Sequence, residues 1–481
     1  MKTKISLLLT SLTLLVGCAV GPDYEKPAAN TPTQWSEPLA GGEKNGDDVV
    51  TAWWKTFHDP ELDSLINRAA QANLDVKIAE ARVREARAQL GTADSDFGPT
   101  VDATGSYTRE RLDPNGVLPV PPSLTKPLNV YQAGFDASWE IDVFGGERRN
   151  AEAADAELSA AEFGRRDALV TLLGEVARNY VEARGYQRRL EIARENIQAE
   201  QDAVTLASDS FQKGLTSELD VRQASTLLAT TQADVPTLES SLKISIHRLS
   251  VLLAQPPGAL LAELSATAPI PSTPSEVPVG LPADLLQRRP DVQQAERELA
   301  AATANIGVAT ADLFPKFYLT GATGEQSISA SNWFSPGSTF WSVGPTVQWR
   351  IFDANRIRSN IQLQNARQEE ALARYEKTVL GSFEDVEDAL VAYANEQVRR
   401  QSLDQAAASS EDALHLANQR YANGLASFLD VVDAERTLYA TQDQLAQSDR
   451  TIAVNLITLY KALGGGWDVA PSSTQSPAQK G

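Results

Sequence analysis

Residues 211–221 read FQKGLTSELDV and residues 421–431 read YANGLASFLDV. Each follows a very long helical stretch and precedes a second one, and self-similarity at a fixed displacement marks a duplicated structural unit. The echo extends upstream. The segment from Asp75 to Gly105 lines up with that from Asp291 to Gly321, matching Val76 with Val292, Ala79 with Ala295, Gly91 with Gly307 and Pro99 with Pro315. Trp139 before Phe144 likewise answers Trp349 before Phe352. Each half reads as helix, strand pair, helix, turn, helix, which makes the chain α+β with an internal two-fold repeat.

The first repeat is expected over 59–255 and the second over 283–465. A helix is predicted from Pro60 to Ser95, with Leu62, Leu65, Ile66 and Ala69 on one face and proline in its first turn. Strands follow at 101–109 and 131–142, where Val101, Ala103, Gly105 and Tyr107 alternate with Asp102, Thr104, Ser106 and Thr108. The hairpin recurs within 316–352, with Phe317, Leu319 and Gly321 in one strand and Trp341, Val343, Pro345, Val347, Trp349 and Ile351 in the other. Period-two alternation over this length suits a tilted membrane crossing, and equally a half-buried sheet in a soluble domain. Two features favour the membrane. Aromatics, chiefly Tyr131, Trp139, Trp341 and Trp349, gather at strand ends as at a membrane interface, and the apolar face of the strands carries no charge.

Proline is absent from Gly146 to Lys213 and from Ala354 to Asn423. A helix through either stretch is roughly 100 Å long at about 1.5 Å per residue. Leu169, Leu172, Val176 and Tyr180 mark one apolar stripe, and Val379, Phe383, Val386, Leu390 and Tyr393 another. Residues 256–282, rich in proline, read as a linker laid against the flank of the body, and 466–481 as a disordered tail.

At the amino terminus Lys2 and Lys4 precede an apolar run from Ile5 to Val16, too short to span a bilayer as a mature helix. Residues 1–17 are therefore expected to be a signal peptide. Cys18, the only cysteine, closes the run as the acylated first residue of a lipoprotein, and Ala19 after it points to the outer membrane. Residues 18–58, with Pro22, Pro27, Pro32 and Pro38, read as an extended arm without a core of its own. The formal charge of −20 argues against a nucleic-acid partner.

Four strands do not close a membrane barrel, which starts at about eight, and an open edge in lipid leaves backbone groups unpaired at several kcal/mol each. The chain must oligomerise. Two copies give a barrel filled by side chains; three give twelve strands and a watery lumen, which the charges on the polar face favour.

The segments Cys18-Ala-Val-Gly-Pro-Asp-Tyr24, Trp53-Trp54-Lys-Thr-Phe57 with Asp59-Pro60, Leu285-Leu-Gln-Arg-Arg-Pro-Asp-Val292 and Leu429-Asp-Val-Val-Asp-Ala-Glu-Arg-Thr-Leu438 resemble the outer-membrane efflux protein family. The likeness is to the lipoprotein (OprM/NodT-like) branch of its TolC-type channels and covers essentially the whole mature chain. It implies a homotrimer with a twelve-stranded outer-membrane β-barrel, a long periplasmic α-helical barrel and a mixed equatorial region. It further implies the exit duct of a tripartite pump, docking to a periplasmic adaptor and an inner-membrane transporter, often of the RND class.

Gly214 and Gly424 are then the periplasmic helix-turn tips. Asp430 and Asp433, at i and i+3, share a helix face, and three-fold symmetry makes each a ring of carboxylates that holds cations and bars anions. In related channels a tyrosine at the Tyr421 position and acids at the Asp220, Asp430 and Asp433 positions take part in closing the tip. At Ala426 the chain departs from members that carry an arginine there. The bland alternative is that Asp220 and Asp430 favour helix N-termini.

No catalytic or cofactor motif stands out. His58, His247 and His415 lie far apart without metal-ligand spacing, so no enzyme activity, cofactor or metal is expected. The rival reading is a periplasmic adaptor or coiled-coil structural lipoprotein without channel activity.

Overall fold

A computed structural model describes residues 19–28, 31–39, 42–44, 51–111, 113, 126–274 and 277–467. Residues 1–17, expected to be a signal peptide, Cys18 and residues 468–481 lie outside the described residues. In chain order the main elements are β1 (Glu43–Lys44), α1 (Pro60–Ala72), α2 (Leu74–Ser95), β2 (Thr100–Glu110), β3 (Leu128–Ile141), α3 (Gly146–Gln212) and α4 (Glu218–Leu252). There follow β4 (Val277–Pro278), α5 (Pro282–Arg288), α6 (Pro290–Ala311), β5 (Lys316–Ser327), β6 (Thr339–Gln348), α7 (Arg356–Ala422) and α8 (Phe428–Ala462). Helices α3 and α7 each have 67 residues, α4 and α8 each 35, and α2 and α6 each 22. The chain divides into two compact units, one drawing on the stretch up to Pro27, Arg82–Ala161 and Ala295–Tyr375, the other on Ala28–Ala81, Glu162–Gln294 and Glu376 onward.

The first unit holds one antiparallel sheet in the order β2-β3-β5-β6. Its register separates the two faces. Ala103, Phe135, Thr323 and Trp341 form one cross-strand row, and Val101, Ala137, Gly321 and Val343 another, while Asp102, Asp136, Ala322 and Ser342 lie on the opposite face. On that polar face Thr104 donates to Asp136 at 2.8 Å and Lys316 pairs with Glu140 at 3.4 Å. Phe340 shares the row of Gly324, Gly134 and Thr104, opposite in facing to Trp341. β6 ends at Gln348, short of the predicted strand, because its ladder partner β5 begins only at Lys316; beyond it the Trp349 indole donates to the Leu313 carbonyl at 3.1 Å. Trp139 makes the matching bond to the Phe97 carbonyl at 2.9 Å.

The arm enters this unit against its helices. Val20 N–H donates to the Phe144 carbonyl at 3.0 Å, and the buried Arg149 guanidinium grips Asp23 at 2.6 Å and the Val20 carbonyl at 3.2 Å. Tyr24 donates to Glu296 at 3.1 Å, beside the Lys26–Glu296 ion pair at 2.8 Å. Gly21 has φ +92° and its backbone abuts Gly307 so closely that a Cβ would meet the Gly307 Cα at 2.4 Å. No other residue fits there.

The second unit holds the main core, and several elements within it differ from what the sequence predicts. The predicted helix 60–95 is broken at Asn73, whose Oδ1 accepts from the N–H groups of Asp75 and Val76 at 2.8 and 3.1 Å and so caps α2. Its Nδ2 is fixed to the Leu252 carbonyl at 2.9 Å. The arm does contribute core: Trp53, Trp54 and Phe57 sit on one 3₁₀ turn and are almost fully buried, with Trp53 stacked on Tyr460 at 5.5 Å. The proline-rich 256–282 segment is likewise packed in, through Leu260, Leu264 and Val277, while β4 pairs in parallel with β1. Pro282, placed at the linker's end, opens α5. Gly466 and Trp467, assigned by sequence to the tail, are held: the Trp467 indole donates to the Arg288 carbonyl at 3.0 Å and lies under the Arg166 guanidinium at 4.7 Å. Among the described residues no helix is long and apolar enough to cross a membrane.

Candidate functional site

Both helical turns of the second unit end their first helix in the same way. Gly214 and Gly424 have φ +72° and +70°. The Gly214 N–H donates to the Phe211 carbonyl at 2.8 Å and Leu215 N–H to Ser210 at 2.9 Å; Gly424 bonds to Tyr421 at 2.9 Å and Leu425 to Arg420 at 2.8 Å. This double closure satisfies the last carbonyls of α3 and α7, and a left-handed residue is what it requires. Leu215 and Leu425, next in line, are left pointing into solvent at 77% and 70% exposure.

The predicted acids restart the helices. Asp220 accepts from Thr216 Oγ1 and from the Ser217 N–H at 3.2 Å; Asp430 accepts from the Ser427 N–H at 2.8 Å and its hydroxyl at 2.9 Å. Each is the third helical residue reaching back to accept from the backbone N–H of the cap serine. The Ser427 hydrogen bonds hold the Asp430 carboxyl below the usual carboxylate range. Asp433 pairs with Arg436 at 2.8 Å. Asp430 and Asp433 stand exposed on one side of α8, as their spacing predicts, yet their hydrogen bonds stay within their own turns. Tyr421 is brought not to these acids but to Phe428, edge-on at 5.4 Å.

Phe428 was not singled out by sequence. It is buried with Val432 against Ala207 of α3 and Ala224 of α4, with Ala203, Val204 and Tyr421 around it. The available signal was the repeat itself: Phe428 stands where the first copy has the charged Glu218. Glu435 and Glu200, both buried, are a second omission; their counterparts are Ser225 and Ser410.

In the first unit the predicted interface aromatics fall into two groups. Tyr131 lies between Tyr107 at 5.1 Å and Trp333 at 5.5 Å, and Trp333 stacks on Phe334 at 4.8 Å. Trp341 is at this same sheet end, while Trp139 and Trp349 are at the other. Trp333 and Phe334, from the β5–β6 connection, extend the first group beyond what alternation reveals. Among the described residues no group of acids, histidines and cysteines is arranged to hold a metal ion.

The family model for outer membrane efflux proteins matches residues 65–255 and 281–465. The solvent efflux pump outer membrane protein SrpC of Pseudomonas putida is 34% identical, with 98% of this chain and 100% of that one covered. Nodulation protein T of Rhizobium leguminosarum bv. trifolii is 33% identical over 95% of this chain and 96% of its own. Among solved structures, the outer-membrane channel OprN superposes with a TM-score of 0.88 at 34% identity, over 94% of this chain and 100% of that one. With both halves matched and the fold shared along almost its whole length, the chain belongs to the outer membrane efflux protein family.

Proposed function

We propose that the protein is the outer-membrane channel of an efflux pump, a passive conduit in which three chains close a twelve-stranded barrel and their long helices furnish the periplasmic tube. The observation that carries oligomerisation is the four-stranded sheet, whose outermost strands β2 and β6 have, among the described residues, no partner on one side; the charges on its polar face favour three chains over two. In lipid those edges demand pairing, and β6 of one chain beside β2 of the next supplies it without altering the apolar rows. Pro345, with no N–H to offer, sits in such an edge strand.

In this reading Cys18 carries lipid, Tyr131, Trp139, Trp341 and Trp349 mark the membrane interfaces, and the 256–282 linker with the termini forms the mixed equatorial region. The tips at Gly214 and Gly424 meet a periplasmic adaptor, which couples the duct to an inner-membrane transporter of the RND class. Asp430 and Asp433 form the acidic constriction, with Tyr421 and Asp220 beside it. The relative named as a solvent efflux pump outer membrane protein supports the pump setting.

The test is reconstitution of the purified full-length protein in planar bilayers with native mass measurement. A trimeric mass and cation-selective conductance are expected. A monomeric, non-conducting protein would support the lipoprotein adaptor reading instead.

A further inference from the structure

One turn beyond the Phe428 seat, α3 and α8 each turn an acid inward. Glu200 of α3 is 2% exposed and Glu435 of α8 is 8% exposed. Thr231 of α4 donates to Glu200 Oε1 at 2.9 Å, while Oε2 is buried with no hydrogen-bond partner. Two carboxylates enclosed among helices cannot both ionise without a large desolvation cost and mutual repulsion. The charges around them are engaged elsewhere. Asp433 holds Arg436 on α8 itself, Tyr439 of α8 donates to Asp234 of α4 at 3.1 Å, and Asp443 of α8 takes Arg189 of α3 at 2.6 Å. Arg420 of α7 donates to the Leu425 carbonyl at 3.3 Å and lends its charge to Asp430. The charge that reaches Glu435 is that of Glu200.

We propose that Glu200 and Glu435 form a proton-loaded latch between the two helical hairpins: protonated, the pair lets α8 stay seated on α3; ionised, it pushes α8 and Phe428 off that seat. Burial, with the Glu200 charge adding to it, pushes the Glu435 carboxyl up to about 7, and burial raises Glu200 as well against the pull of Thr231. The sign follows. The seated state binds the proton more tightly than the parted state, so seating is strongest in acid, weakens as pH rises from the ordinary carboxylate range to about 7, and is level above it. In the first copy's positions, Ser225 and Ser410, nothing titrates. As a device for freeing the tip the latch rests on the channel reading, but as a contact it does not.

Hydrogen exchange of the full-length protein, corrected for intrinsic rates and read in peptides covering residues 200–207 and 428–439, tests it. Protection in both peptides should fall by about tenfold between about pH 5 and about pH 8. Glu435→Gln should lose most of this pH dependence, the remainder coming from Glu200. Glu200→Gln should retain a pH dependence displaced toward acid, and it decides the matter if Glu435→Gln does not fold. Protection that is flat in the wild type, or a Glu435→Gln profile that tracks the wild type, overturns the latch. Conductance recorded alongside reports on the channel reading separately, because the exchange result stands with or without a current.

Discussion

The two helical turns of this chain share a backbone and differ in what they attach to. At both, glycine in the left-handed region closes one helix and a Ser-x-x-Asp box opens the next. After the first cap comes Glu218, exposed and paired with Arg222 one turn on, at 2.9 Å. After the second comes Phe428, sunk among residues of α3 and α4. One turn hangs free and the other is fastened to it. Backbone geometry was kept through the repeat while side chains made the second hairpin depend on the first.

The largest expected effect comes from cutting that fastening. Phe428→Ala removes a buried aromatic, at a cost of about 3–5 kcal/mol where the site cannot collapse, and exchange protection over the first turns of α8 should drop. Glu218→Ala should stay within about 0.5 kcal/mol. Equal losses at the two positions would erase the distinction. Next in size, Gly424→Ala and Gly214→Ala should each cost about 1–2 kcal/mol from the left-handed backbone alone, since a Cβ at either position meets nothing within 4 Å. Chemical denaturation that separates the two glycine variants would show that the turns are not equivalent in backbone after all.

The smallest effect on stability, though not on current, belongs to the acids. Asp430→Ala with Asp433→Ala should raise single-channel conductance, whereas Asp220→Ala, whose neighbour at the Asp433 position is the neutral Gln223, should raise it less. Unchanged conductance and selectivity would sink the constriction. The Asp430 carboxyl is held low in its packed turn, so its capping contribution is present at neutral pH and lost only as pH falls through that lowered value. Titration between about pH 5 and about pH 8 should therefore leave this cap intact and report on Glu435 instead.

Element type and length were legible because long proline-free stretches and period-two alternation are local signals. The lengths of α3 and α7, and the four strands, follow from them. What was not legible lies in contacts between distant segments. Nothing periodic announces that Asn73 stops a helix; its amide does so by being held at the Leu252 carbonyl. Trp53, Trp54 and Phe57 read as part of an extended arm without a core of its own because prolines and a glycine pair punctuate it, yet Tyr460 and the glycine at 466 complete their seat. At the tip the acids were visible as a pattern, but Phe428 and the Glu200–Glu435 pair required reading the repeat for its mismatches rather than its matches.

The strand order β2-β3-β5-β6 has a consequence for biogenesis. The inner seam of the sheet joins β3 to β5, so Tyr131 waits for Ser327. A nascent chain emerging amino terminus first exposes one edge of its first hairpin until β5, early in the second repeat, has been made, and closure of so long a loop is slow. The interval is one in which a bare strand edge invites the wrong partner. The half-made sheet thus calls for escort until β5 arrives to cover the β3 edge.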